Sequence, residues 1–146
     1  MPHMLRISEA ASLALHMMTA LSETTDKLVS VHEIASSLCV SEHHLSKVCQ
    51  RLAKAGLLES SRGPKGGVRL ARPADSITLL DVYEAIEGPL TMSECLMGQP
   101  VCGRQMCILG KLLEVINREA GEYFSKTTLT QLADDSKIKS EVKLPG

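Results

Sequence analysis

Between Ser30 and Leu70 the chain sets two short helical patterns about three residues apart and follows them with a turn that no helix can absorb. The first opens at Ser30-Val31-His32-Glu33, a serine cap with glutamate three residues on, and carries Ile34, Ala35 and Leu38 on one face. The second opens at Ser41 and repeats Leu45, Val48, Cys49 and Leu52 at helical spacing as far as Gly56. Leu57-Leu58 and Ser60-Ser61 then precede Arg62-Gly63-Pro64-Lys65-Gly66-Gly67, and Val68 and Leu70 follow, which reads as a hairpin. A basic helix after a tight inter-helix turn is the helix-turn-helix pattern, and a hairpin directly behind it is a wing. The fold class that follows is mainly α with a small β wing: a winged helix-turn-helix domain plus a long C-terminal dimerisation helix.

The flanking segments extend this reading. Ser8 caps a first helix with Glu9 in its first turn, and Ala10, Ala11, Leu13, Ala14, Leu15, Met17, Met18 and Leu21 make it apolar on most faces. Such a helix belongs between elements or between subunits. Thr78 and Asp81 open another, carrying Leu79, Val82, Tyr83, Ala85 and Ile86 and stopped by Gly88-Pro89. Residues 91–107 hold three cysteines and are broken by Gly98, Pro100 and Gly103. From Ile108 to Phe124 an amphipathic pattern (Leu109, Leu112, Leu113, Val115, Ile116, Ala120) has a stripe wide enough for its own domain and a second copy, which predicts a homodimer. Residues after Asp134 are polar and read as a frayed tail. The organisation expected is a DNA-binding domain over 4–88, a cysteine loop over 89–107, a dimerisation region over 108–133 and a tail over 134–146, with Met1-Pro2-His3 set aside.

Composition narrows the partners. With two Tyr, one Phe and no Trp among 146 residues, a stacking platform for single-stranded nucleic acid is excluded. No apolar run approaches the roughly 18 residues of a spanning helix, and no basic-then-apolar leader opens the chain, so a cytoplasmic protein with no membrane partner is expected. The net charge of −1 hides an asymmetry. From Ser41 to Arg72 seven cations stand against Glu42 and Glu59, a local +5, while the remainder sums to −6. A basic face on an acidic body suits double-stranded DNA with two half-sites. On the second helix Ser41, His43, His44, Ser46 and Lys47 are placed to reach base edges, and Arg51 and Lys54 to reach phosphate. Arg62 and Lys65 on the wing suit a minor groove.

Cys95, Cys102 and Cys107 are separated by six and four residues. Thiolates select zinc or iron–sulfur clusters, and a loop lets three of them converge, but a redox thiol switch fits the same spacing. Cys39 and Cys49 read as small core residues. An enzyme is disfavoured, because there is no Cys-x-x-Cys, no βαβ pattern and no nucleophile–base pairing.

Taken together, Ile34-Ala35, Val40-Ser41, Leu45, Val48, Leu52, Ala55-Gly56-Leu57-Leu58, the Arg62–Gly67 turn and Leu79-Leu80-Asp81-Val82-Tyr83-Glu84-Ala85-Ile86-Glu87-Gly88 resemble the winged-helix regulators of the IscR/NsrR type, over residues 4–133. The resemblance implies a bacterial cytoplasmic homodimer, joined by the long C-terminal helix, with Arg62 reading DNA from the wing. It also implies that Cys95, Cys102 and Cys107 hold an iron–sulfur cluster with a fourth ligand from elsewhere, although the middle cysteine is displaced by one place from the family's even spacing. Gly110 stands where some members place a histidine ligand, and Ser12 where others place an acid from the partner's first helix. His16, one turn later, matches a histidine used in some members, with Glu9, solvent or an external thiol as the alternatives. A [2Fe–2S] cluster is slightly favoured over [4Fe–4S]. The function implied is a transcriptional regulator, a repressor by preference, whose operator affinity follows a cluster sensing redox state, nitric oxide or iron supply. In that scheme cluster ligation ties the loop to the other subunit's first helix and so fixes the angle between recognition helices. The alternative is a cluster-free regulator controlled by a partner protein, zinc or thiol oxidation.

Overall fold

The computed structural model describes residues 7–24, 26–91, 95, 102, 103 and 107–141, with side chains as far as 135. Helix α1 (Glu9–Ser22) starts where the Ser8 hydroxyl accepts from the Ala11 amide at 3.1 Å. Helix α2 (Val31–Ser37) starts at a full capping box between Ser30 and Glu33, and α3 (Glu42–Lys54) at Ser41, whose hydroxyl accepts from the His44 amide. Each cap satisfies an amide that the first turn leaves without a carbonyl, which is why all three helices begin at serine.

Strands β1 (Leu58–Ser61) and β2 (Gly67–Leu70) pair antiparallel, with Glu59 opposite Arg69 and Ser61 opposite Gly67. A bridge between Val29 and Val68 adds the chain ahead of α2 to the hairpin's edge. A 3-10 turn (Ala74–Ser76) leads to α4 (Leu79–Glu87), opened by the Thr78/Asp81 capping box, and α5 (Gly110–Lys126) and α6 (Leu129–Glu141) follow. The buried layer is aliphatic and sulfur-rich, as the scarcity of aromatics requires. Ala11, Leu13, Ala14, Met17, Met18 and Leu21 of α1 meet Leu45, Val48, Cys49 and Leu52 of α3, Val68 of β2, and Val82 and Ile86 of α4. Helix α1 is therefore the central strut, buried within one subunit. None of the described helices is long and apolar enough to cross a membrane.

Three expectations are corrected. Helix α5 is the long C-terminal helix expected from Ile108 to Phe124, but the chain beyond it is not a tail: α5 stops at Lys126, Thr127 is extended, and α6 begins after Thr128, whose amide donates to Gln131 Oε1 at 2.9 Å. The backbone then stays helical through Glu141, where a frayed tail from Asp134 was expected. The reason is anchoring: Leu129 is fully buried, its amide donates to the Ile77 carbonyl, and the Leu79 amide donates to Thr127. The second correction is the start of α5, which lies at Gly110, leaving Ile108 79% exposed ahead of it.

The third concerns Cys39, which is exposed rather than part of the core. It occupies the left-handed position ending α2, at φ +55°, while the Val40 amide reaches back to the Ala35 carbonyl at 3.0 Å. Glycine is the usual occupant of that position, because a Cβ there crowds the backbone. Cys39→Gly is expected to raise unfolding stability by up to about 1 kcal/mol, read as an increase in the urea midpoint at unchanged slope.

Candidate nucleic-acid interface and cysteine segment

The buried side of α3 faces α1 and leaves an outer stripe in solvent. His43, Lys47, Gln50 and Lys54 are exposed along it, three or four residues apart. Ser41 is exposed but already accepts the His44 amide as cap, and Ser46 is half-buried toward the hairpin. His44 is half-buried, and its Nε2 is closed off from solvent with no partner among the described residues. Glu42, the acid of the first turn, is engaged by the His32 ring of α2.

Arg51 is exposed, and its Nη1 donates to the Ile86 carbonyl of α4 at 3.2 Å, so the guanidinium also ties α3 to the body. Charge and spacing put Arg51 on a basic helix, but only the packing of α4 against α3 shows which way it turns.

On the hairpin, Arg62 and Lys65 are exposed in the turn, and Arg69 pairs across the strands with Glu59 at 2.9 Å. The turn is tight enough that a Cβ on Gly66 would lie 2.2 Å from the Ser61 carbonyl oxygen. Only glycine lets the Gly66 amide close onto Gly63 there. A cleft of about 530 Å³ separates the hairpin from α3, bordered by Ser46 and Gln50 on one side and by Ser60, Ser61 and Arg62 on the other. Gln50 is the residue that the sequence reading passed over; its place on the stripe of Lys47 and Lys54 was the available signal.

The cysteine segment lies between α4 and α5. Cys95 is half-buried, Cys102 and Cys107 are exposed, and none is in a disulfide. Gly98 and Pro100, expected to break this loop, lie outside the described residues. Among the described residues no three His, Cys, Asp or Glu side chains converge to hold a metal ion, so one subunit does not bring Cys95, Cys102, Cys107 and His16 together. His16 is exposed, and its Nδ1 lies 2.7 Å from the Ser12 carbonyl. A carbonyl only accepts, so Nδ1 is the donor in this contact, which in a neutral ring leaves Nε2 with the lone pair that a metal ligand needs. Glu9 and His16 border one depression of about 480 Å³ at the start of α1.

Cys49 is buried, as expected, with Sγ 3.8 Å from Met17 Sδ, and desolvation pushes its thiol up to about 11, outweighing a backbone hydrogen bond that lowers it. At pH 8 about one Cys49 in a thousand is then thiolate. Iodoacetamide on the native, metal-free chain is expected to label Cys39 and Cys102 and to spare Cys49, read by peptide mass mapping. Because the raised value favours the protonated native state, the stability Cys49 contributes is present below pH 9 and is lost as pH rises toward 11.

A model of the Rrf2 family, described as iron-dependent transcriptional regulators, matches residues 7–135. The HTH-type transcriptional regulator NsrR of Halalkalibacterium halodurans is 33% identical over 140 residues, covering 91% of this chain and 92% of that protein. Protein aau3 of Rhizobium meliloti is 42% identical over 91 residues, which span 62% of this chain and 59% of that one. Among solved structures, CymR (YrzC), the global cysteine regulator of B. subtilis, is 32% identical, covers 90% of this chain and 98% of its own, and superposes with a TM-score of 0.74.

Proposed function

We propose that this chain, which belongs to the Rrf2 family of transcriptional regulators, is a cytoplasmic homodimer that represses transcription from two DNA half-sites. Its operator affinity would follow the ligation state of Cys95, Cys102 and Cys107. Belonging to that family makes it a DNA-binding regulator, and its relatives are regulators and not enzymes. The observation that carries the sensing half is where the three thiols sit. They link α4, whose last turn receives Arg51 of the recognition helix, to α5, whose Leu112 and Val115 lie uncovered.

The donor set suits an iron–sulfur cluster in kind: three thiols within thirteen residues, two of them exposed. Cys95, Cys102 and Cys107 would be the ligands, with [2Fe–2S] slightly favoured. His16 from the second subunit would be the fourth donor, in the tautomer its Ser12 contact imposes, with Glu9 as the alternative. Such a cluster supplies a cage that oxidants, nitric oxide or iron shortage dismantle. The chain's own part is mechanical. With the segment held to the partner's α1, the two α3 helices keep one spacing; with it released, they do not. On the DNA face, Ser41, His43, His44, Ser46 and Lys47 present the start of α3 to the major groove, with His43 and Lys47 outermost, and Arg62 and Lys65 present the wing to the minor groove.

A second reading, control by thiol oxidation without a cluster, is favoured by the 32% identity to the CymR of B. subtilis and by the likeness to S. aureus CymR solved in an oxidised form. Anaerobic purification with a visible spectrum and iron and sulfide counts separates the two. Brown protein with about two irons per chain is expected, lost in Cys102→Ala with the helical circular dichroism intact. Colourless protein that reconstitution cannot colour decides for thiol control. Arg62→Ala is expected to weaken operator binding about tenfold at physiological salt and to flatten its salt dependence by about one unit.

A further inference from the structure

The cleft between α3 and the hairpin is bordered by side chains that the rest of the protein leaves idle. Among the described residues Ser46, Gln50, Ser60, Ser61 and Arg62 make no side-chain hydrogen bond, and no acid borders the cleft. The rest of the wall includes Ser30, Cys49, Val68 and the glycine backbone of the turn, drawn in close because Gly66 and Gly67 have no side chain to hold it off.

On B-DNA the major and minor grooves are divided by a single sugar–phosphate strand. A helix in one groove and a wing in the next therefore straddle that strand, and whatever lies between them meets phosphate and sugar, not base edges. Hydroxyl and amide donors with no acid nearby are what such a strand requires: they satisfy phosphate oxygens and add no charge of their own. Gln50 shares the exposed stripe of His43 and Lys47, but it alone of the three borders the cleft.

We propose that this cleft seats the phosphate strand between the two grooves, with Gln50, Ser60 and Ser61 as its uncharged phosphate donors. The proposal rests on the DNA-binding reading above and adds Gln50, Ser60 and Ser61 to the residues assigned there, while Ser46 and Arg62, at the cleft's two borders, keep their groove-facing roles. It makes Gln50 a residue of general affinity and not of sequence choice.

The test uses the full-length protein and two probes, a duplex selected by the wild type from a random-sequence pool and an unrelated duplex of equal length. Gln50→Ala is expected to weaken both by the same factor, about fivefold to tenfold, leaving the slope of log affinity against log salt unchanged because no cation is lost. Gln50→Lys is expected to tighten both and to steepen that slope by about one unit. Ethylating individual phosphates should reveal one per half-site whose blockage hurts the wild type and no longer hurts Gln50→Ala. A loss confined to the selected duplex would make Gln50 a base reader and overturn the proposal, as would equal affinity in both variants. Gln50 is exposed, so unchanged thermal melting separates these outcomes from misfolding. Wild-type protein that binds neither duplex would instead overturn the DNA-binding reading, and this proposal with it.

Discussion

Everything that faces DNA here depends on how α3 is held from behind. Leu45, Val48, Cys49 and Leu52 bury one face of that helix, and α1 supplies the other side of the contact through Met17 and its neighbours. Burying four such side chains stabilises the pair by several kcal/mol, at about 1.5–3 kcal/mol for a large aliphatic group. Because the seam is made of unbranched methionine, leucine and a cysteine rather than rings, it conforms closely to the helix it supports. A helix fixed on one side leaves the other side free, and the free side here holds His43, the lysines and Gln50. The wing is set by a related constraint: Val68 sits in the same core, so the hairpin's base cannot move independently of α3.

The end of α4 is the second junction. Arg51 donates to its last turn from α3, the Glu84 carboxylate accepts the Leu90 amide at 3.0 Å at the start of the cysteine segment, and the Ser8 hydroxyl of the α1 cap reaches Glu87. Three parts of the molecule with different tasks thus meet within four residues of one helix. The cysteine segment and the recognition helix are thus bonded to the same turn of α4, with Gly88, at φ +83°, as the corner where the segment leaves it. The connection is made of directional hydrogen bonds, which break when misaligned, where aliphatic contacts slide.

Local chemistry was legible in the sequence and tertiary direction was not. The caps at Ser8, Ser30, Ser41 and Thr78 could be read because a helix start is decided within four residues. The hairpin could be read because its turn needs glycine. The bond from Arg51 to α4 was not legible, because a cation on a helix carries no mark of which neighbour it will meet. Cys39 was misread because a left-handed residue after a helix is announced by glycine or asparagine, and here neither is present. The break between α5 and α6 did have a signal, Thr128 with Gln131 three residues on, but the polar composition around it resembles a tail. What identifies α6 as structure is Leu129 docking under Ile77, a contact across fifty-two positions of chain.

The cysteine segment shows the limit from the opposite side, since there the sequence speaks about chemistry and one subunit is silent about geometry. Three thiols on a loop between two helices are enough to name soft metal ions or oxidants as what they meet. They cannot form a four-ligand cage alone, and among the described residues of one chain no three metal-binding side chains gather. The same chain exposes Leu112, Val115 and Tyr123 along α5, directly after the last of those cysteines. An uncovered apolar face and a set of three soft donors are thus adjacent in the chain, so a partner seated on the first would also border the second.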